Sequence, residues 1–190
     1  MITSAPPFIS GQLLLALPGI GDPRFERSVI AMCLHDAEGA MGVAIHQPHP
    51  RVQLGDVLHE VGLETAHSAV AASAVFVGGP VEPGRGFVLH SADYGSGGTI
   101  AIGSQWAMTG TRDILEAIAE GRGPARWLVA LGYAGWGKGQ LEGELHQHGW
   151  MTAPATDALL YDLPPEHRWA AAYAGLGVDV SHLSAQGGHA

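Results

Sequence analysis

The stretch LVALGYAGWGKGQLEGEL, Leu128 to Leu145, admits two readings, and the choice between them decides the fold. Gly132 to Lys138 spells G-x-x-x-x-G-K, the body of a nucleotide-binding loop, and it stands between an apolar run and a helical pattern. Such a loop needs backbone N–H groups free to wrap phosphate oxygens, and a Ser or Thr after the lysine to reach Mg²⁺. Here Gly139 follows Lys138, offers no oxygen ligand and weakens the helix start. Trp136 is bulky where a phosphate would need close backbone approach. The better reading is a buried strand, ARWLVALGYAG, that passes through glycines into a helix, KGQLEGELHQHG. Leu141 and Leu145 lie one turn apart on that helix, and Gly149 is its stop. Only a generic anion-friendly feature remains, a lysine near a helix N-terminus.

Outward from this unit, the first half is rich in strand signals. GQLLLALP is a short apolar run closed by Pro18 and Gly19. SVIAMCLH and AMGVAIHQ flank the turn-like Asp36–Gly39 and read as a hairpin. LGDVLHEVGL reads as a short helix with Leu54, Val57, Leu58 and Val61 on one face, and AHSAVAAS as a connector. AVFVGGP and RGFVLHS read as two strands around a Pro-Gly turn, and TIAIGSQWAMT as one strand interrupted at Gly103. TRDILEAIAEG is the clearest helix, with Ile114, Leu115 and Ile118 together and Gly121 suited to its C-terminal cap. DALLYDL reads as a strand, and a proline-started helix runs from Pro165 through Ala174. Strands early, helices late and one strand–loop–helix unit between them predict a mixed-sheet α+β domain. One domain is expected over residues 1–177, with 178–190 a mobile tail.

Composition narrows the function. Of 190 residues only 14% are charged, against about 25% in typical domains. Nine basic residues face 18 acidic ones, a net charge of −9, and Lys138 is the only lysine. No window supplies the basic face that nucleic-acid phosphates require. A single cysteine, Cys33, excludes an internal disulfide and any CxxC zinc site, and its apolar surroundings make it a buried structural thiol. The N-terminal stretch lacks a basic leader region, and no run approaches the ~20 apolar residues of a membrane span, so a cytoplasmic protein is expected.

The chemical motifs are few. Glu142–His146 and Glu144–His148 stand one helical turn apart, but no H-E-x-x-H occurs and neither pair has the E-x-x-H spacing, so no metal site and no cofactor are expected. No G-x-S-x-G elbow exists, since Ser96 lies in DYGSGGT, and the reading leans away from an enzyme. GGPVEPGRGFVLH is the second unusual segment: Gly78-Gly79-Pro80 permits backbone geometry closed to other residues. Arg85 and His90, five residues apart, point to opposite faces of a continuous strand.

Taken together, the ordered blocks GQLLLALPGIGDPRFERSVI, CLHDAEGAMGVAIHQP, VFVGGPVEPGRGFVLHS and LVALGYAGWGKGQLEGELHQHGWM resemble the AlgH/YqgE family of small bacterial proteins. The resemblance runs from about Gly11 to Gly177. It implies a single α+β domain whose mixed sheet curls into a barrel-like body with helices packed outside. In the family's block the glycines, Trp136 and Gln140-Leu141-Glu142 match, while the place of Lys138 is not tied to lysine. His46 and His148 stand where the family usually has asparagine. The resemblance supplies no catalytic residues, cofactor or substrate; the label of transcriptional regulator is attached to the family in places. The leading expectation is therefore a regulatory or interaction protein acting through a protein partner or a small ligand. The alternative is a small-anion binder or enzyme with its site between the GGP turn and the GYAGW block, drawing on Gly78, Gly79, Arg85, His90, Tyr133, Gln140 and Glu142. Direct DNA binding is the third reading, disfavoured by charge.

Overall fold

The long apolar run at the centre of the opening stretch becomes β9 (Trp127–Gly137), the strand around which the sheet is organised. The structure is a computed structural model and describes residues 8–19, 23–147 and 149–182. In chain order the strands are β1 (Gln12–Ala16), β2 (Val29–Asp36), β3 (Gly39–Ala44), β4 (Pro48–Gln53) and β5 (Ala74–Val77), then β6 (Val81–Ser91), β7 (Thr99–Ile102), β8 (Trp106–Thr109), β9 and β10 (Trp150–Pro154). The helices are α1 (Leu54–Glu60), the single turn α2 (Ser68–Ala71), α3 (Arg112–Ala119), α4 (Gln140–His146) and α5 (Pro165–Gly175). The sheet runs β10-β1-β2-β3-β9-β6-β8-β7, with β5 also on β9 and β4 on β5. The β5–β9 ladder is parallel and the other described ladders are antiparallel, so the sheet is mixed.

β9 holds the two halves together. Its first part, up to Leu131, pairs with β6 on one side and β5 on the other; its last part, Ala134–Gly137, pairs with β3. The bend between the parts falls at Gly132, whose φ of 77° is the left-handed conformation that glycine adopts without a steric penalty. Successive residues face opposite ways, so both faces must be covered. Leu13, Leu15, Val43, Phe87, Leu89 and Ala130 share one core with Trp169 and Tyr173 of α5. On the other face, α4 covers Leu14, Ile30, Ala134 and Trp136, while α1 and α3 cover Val75, Val88 and Val129. A run such as QLLLA without alternation is what a doubly covered strand requires. Ile114, Leu115 and Ile118 of α3 are all buried, each contributing roughly 1.5–3 kcal/mol.

The curled mixed sheet, the β2–β3 hairpin, α1, α3 and α5 agree with the sequence. Several local expectations do not. AVFVGGP and RGFVLHS do not form a hairpin: β5 and β6 lie on opposite sides of β9, because the Gly78-Gly79 segment carries the chain across β9 instead of back along β5. TIAIGSQWAMT is two strands, since Gly103 at φ 63° turns the chain so that β7 and β8 pair. DALLYDL is a π-helical turn over Ala158–Asp162 with Leu159 and Leu160 both buried, a case where a short apolar run carries no period to separate helix from strand. β4, with two prolines and an exposed surface, and the short β10 gave no strand signal. Val178 and Val180 pack against the core, so the folded body runs past Gly177; residues 183–190 of the expected tail lie outside the described residues.

Candidate functional site

The GGP turn and the GYAGW block meet. Gly78 donates its N–H to the Leu131 carbonyl at 2.8 Å and accepts from Ala44 N–H at 2.8 Å, so it sits at the seam where β9 changes partner from β5 to β3. A methyl group added at Gly78 would lie 2.2 Å from the Gly132 oxygen, one at Gly79 2.2 Å from the Tyr133 carbonyl carbon, and one at Gly132 2.5 Å from the Gly79 oxygen. Two backbones therefore cross with no room for a side chain between them. The GYAGWG segment is ladder-bonded strand, not a loop open to phosphate, and Lys138 reaches the exposed Glu38 at 3.4 Å.

Beside this crossing lies a groove made of two adjoining cavities, of about 490 Å³ and 430 Å³, which share Phe25, Pro80 and Ala134. The first is floored by Ile30 and Ala44 and ends at Ser28, His46 and Gln47. Ser28 is buried, and its Oγ lies 3.5 Å from His46 Nε2. Burial pulls the His46 imidazole below its ordinary pKa, opposed by the Val29 carbonyl. Among the described residues no group bonds its Nδ1. A nucleophile–base pair needs a third group to orient the base, and none of the described residues supplies one to His46.

The second cavity is walled by Trp136 of β9 and Trp150 of β10, with Gln140, Glu144 and Gln147 from the α4 side. Glu144 is the organising residue. Its Oε2 accepts both indole N–H groups, Trp136 at 3.1 Å and Trp150 at 2.9 Å, and its Oε1 accepts from Gln140 Nε2 at 3.1 Å. Gln140 in turn accepts from Gly137 N–H at 3.0 Å, which ties the helix start to the end of β9. Strand alternation puts Ala134 and Trp136 on this side and Tyr133 on the opposite one.

The residues singled out in the sequence separate accordingly. Gly79 and Gln140 line the groove, and Gly78 sits at the crossing beside it. Tyr133 packs against Phe87 in the inner core, with ring centroids 5.8 Å apart. Arg85 is exposed, 3.3 Å from Glu82 and over the Phe87 ring. His90 is fully buried; its Nδ1–H donates to the Ser91 carbonyl at 2.8 Å, leaving Nε2 to accept from the Thr109 hydroxyl at 2.8 Å. Burial lowers its pKa. Glu142 turns away to the buried His35, 3.4 Å from its Nε2, and His146 bonds the Glu142 backbone carbonyl. His148 lies outside the described residues. No group of three His, Cys, Asp or Glu able to hold a metal is gathered among the described residues. Burial pushes the Cys33 thiol up to about 12, well above thiolate chemistry at neutral pH. Sequence reasoning missed Phe25, Ser28, Trp150 and Glu144 as groove residues. The one available signal was Glu144 four residues after Gln140 on a helix.

A third cavity, of about 520 Å³, lies between α1, β6 and α3, lined in part by Gly84, Gly86, Val129 and Leu131 but sharing no residue with the groove. Two of its rim charges, Asp56 and Arg112, are already engaged. Asp56 accepts the Gln53 N–H at 2.8 Å, and Arg112 bonds the Val61 carbonyl and stands 3.8 Å from Glu116.

Fold and groove together define a class: a curled mixed α+β sheet, crossed by a glycine-rich turn, with an aromatic cleft beside the crossing. The chain belongs to the AlgH-like family (DUF179), matched over residues 13–181. A UPF0301 protein of Sphingopyxis alaskensis is 57% identical over 98% of this chain and 99% of its own length. Another from Rhizorhabdus wittichii is 50% identical with the same coverage. The solution structure of the AlgH protein of Pseudomonas aeruginosa is 42% identical and superposes with a TM-score of 0.80 over 100% of both chains. A crystal structure of a Corynebacterium diphtheriae protein shares the fold at 22% identity, with a TM-score of 0.68 over 90% of this chain and 87% of that one. Among the described residues no helix is long and apolar enough to cross a membrane.

Proposed function

We propose that this AlgH-like protein is a non-catalytic binding protein that acts in the cytoplasm and holds an apolar segment of a protein partner in the groove beside the glycine crossing. The observation that carries this reading is the lining: Phe25, Pro80, Trp136 and Trp150 form the walls, amides and Glu144 supply the polar groups, and no described lysine or arginine takes part. Aromatic walls with a few fixed polar groups suit a peptide side chain or two. The same lining disfavours the small-anion reading, because Arg85 and Lys138 spend their charge on exposed glutamates elsewhere. A net charge of −9 disfavours direct duplex binding.

The test is a random-peptide display selection against the purified protein, followed by mapping of an enriched peptide on ¹H–¹⁵N spectra. The reading expects enrichment of apolar sequences that perturb Phe25, residues 134–136 and the Trp150 indole. No enrichment, or peptides that map to the α1–α3 cavity, would sink it.

A further inference from the structure

We propose that the α4 end of this groove is a recognition site for an alkylammonium group, the lysine side chain of the partner segment. The inference rests on the binding reading above and names the chemistry it recognises. Phe25, Trp136 and Trp150 line the same cavity of about 430 Å³. Phe25 meets Trp150 with centroids 5.8 Å apart at 72°, and Trp136 meets Trp150 at 6.4 Å and 84°. Rings set nearly at right angles make adjoining aromatic walls, and an aromatic ring attracts a cation that comes within about 6 Å of its centroid over its face.

Glu144 supplies the charge. A carboxylate has about four acceptor positions. Three are taken here, by two indoles and one amide, and all three donors are neutral. None of the ion pairs among the described residues includes Glu144, a half-buried anion held in a fixed place by neutral donors. Such a charge is costly to bury alone and favours a cation brought in from outside.

The geometry also selects among cations. A guanidinium prefers both carboxylate oxygens at once, whereas here each oxygen is already engaged and about one acceptor position remains. That suits the compact point charge of an ammonium. A metal ion would need further carboxylate, imidazole or thiolate ligands, and among the described residues the other polar side chains at this end are Gln140 and Gln147. The chain's own lysine does not fill the place, since Lys138 pairs with Glu38.

The experiment titrates tetramethylammonium chloride into the intact protein and, in parallel, its neutral isostere tert-butyl alcohol, with NaCl matching ionic strength. The readout is the two indole N–H resonances of Trp136 and Trp150. The expected result is saturable millimolar binding of the ammonium that moves both resonances, at least tenfold weaker binding of the alcohol, and a similar loss in Glu144→Gln. Should Glu144→Gln fail to fold, Gln147→Lys sets a competing cation at the cavity rim and is expected to abolish the shifts. Equal response to ammonium and alcohol, or no saturable response, overturns the inference. Selected peptides that occupy the groove without a lysine would also overturn it while leaving the binding reading intact. Ammonium binding without any selected peptide would leave this site standing and remove the protein-partner reading.

Discussion

Two places lie within a few residues of each other on β9 and behave in opposite ways. At Gly132, backbone presses on backbone: at Gly78, Gly79 and Gly132 two segments of the chain cross at a distance that leaves no room for a side chain. At Trp136, side chains do everything: two indoles and an amide hold one carboxylate over a cavity. The motif that spells a phosphate loop is therefore a packing device, and the chemistry stands on its neighbours. A glycine pattern reports a need for close approach, and only the partner shows whether that approach is to a ligand or to the protein itself.

The sharpest way to break this contrast is Gly132→Ala. A left-handed φ of 77° and a methyl 2.5 Å from the Gly79 oxygen leave no relaxation without moving a strand. The loss is expected to be about 3–5 kcal/mol by urea unfolding, with Gly78→Ala similar. Tolerance of either substitution would mean that the crossing is not rigid. Glu144→Ala strips both indoles and Gln140 of their acceptor and is expected to cost about 2–3 kcal/mol. Because the crossing is separate, the unfolding m-value should stay unchanged.

The acid side of the stability curve sharpens the comparison at the other end of the groove. His46 and His90 both have lowered pKa values, chiefly through burial. Between the ordinary histidine value, ~6.5, and their folded values the unfolded chain binds more protons, so stability is full above ~6.5 and falls as pH drops through that window. Melting temperature should decline over that range, and His46→Asn should flatten part of the decline; an unchanged slope would show that His46 is free to charge. Two small effects close the series. Gly143→Ala, in α4 with open space around its Cα, should stabilise by about 0.5–1 kcal/mol. Lys138→Ala removes an exposed pair and should change stability by less than about 0.5 kcal/mol, with no change in the melting response to MgATP.

What could be read from the sequence divides along the same line. Period and punctuation revealed β1, the β2–β3 hairpin, α1, α3 and α5, because those elements announce themselves locally. The resemblance carried the curled mixed sheet. The path of β5 and β6 around β9 was hidden, since a Gly-Gly-Pro run fits a reversal as well as a crossing, and the choice is made by β9 some fifty residues later. The site fared likewise. Gly78, Gly79 and Gln140 came to the groove because they belong to the blocks that meet there. Arg85, His90, Tyr133 and Glu142 were drawn from the same blocks, but strand and helix faces carry them elsewhere. Glu144, Trp150 and Phe25 come from three separate segments, and nothing short of the fold joins them.

The most direct measurement is an amide and indole chemical-shift map of the protein with an enriched peptide, run on wild type, Lys138→Ala and Glu144→Gln. The account predicts perturbations at Phe25, Ala134–Trp136 and the Trp150 indole. It predicts unchanged affinity in Lys138→Ala and at least tenfold weaker binding in Glu144→Gln. Perturbations centred on Lys138 and Gly139, with affinity lost in Lys138→Ala and kept in Glu144→Gln, would return the glycine motif to the role its spelling suggests.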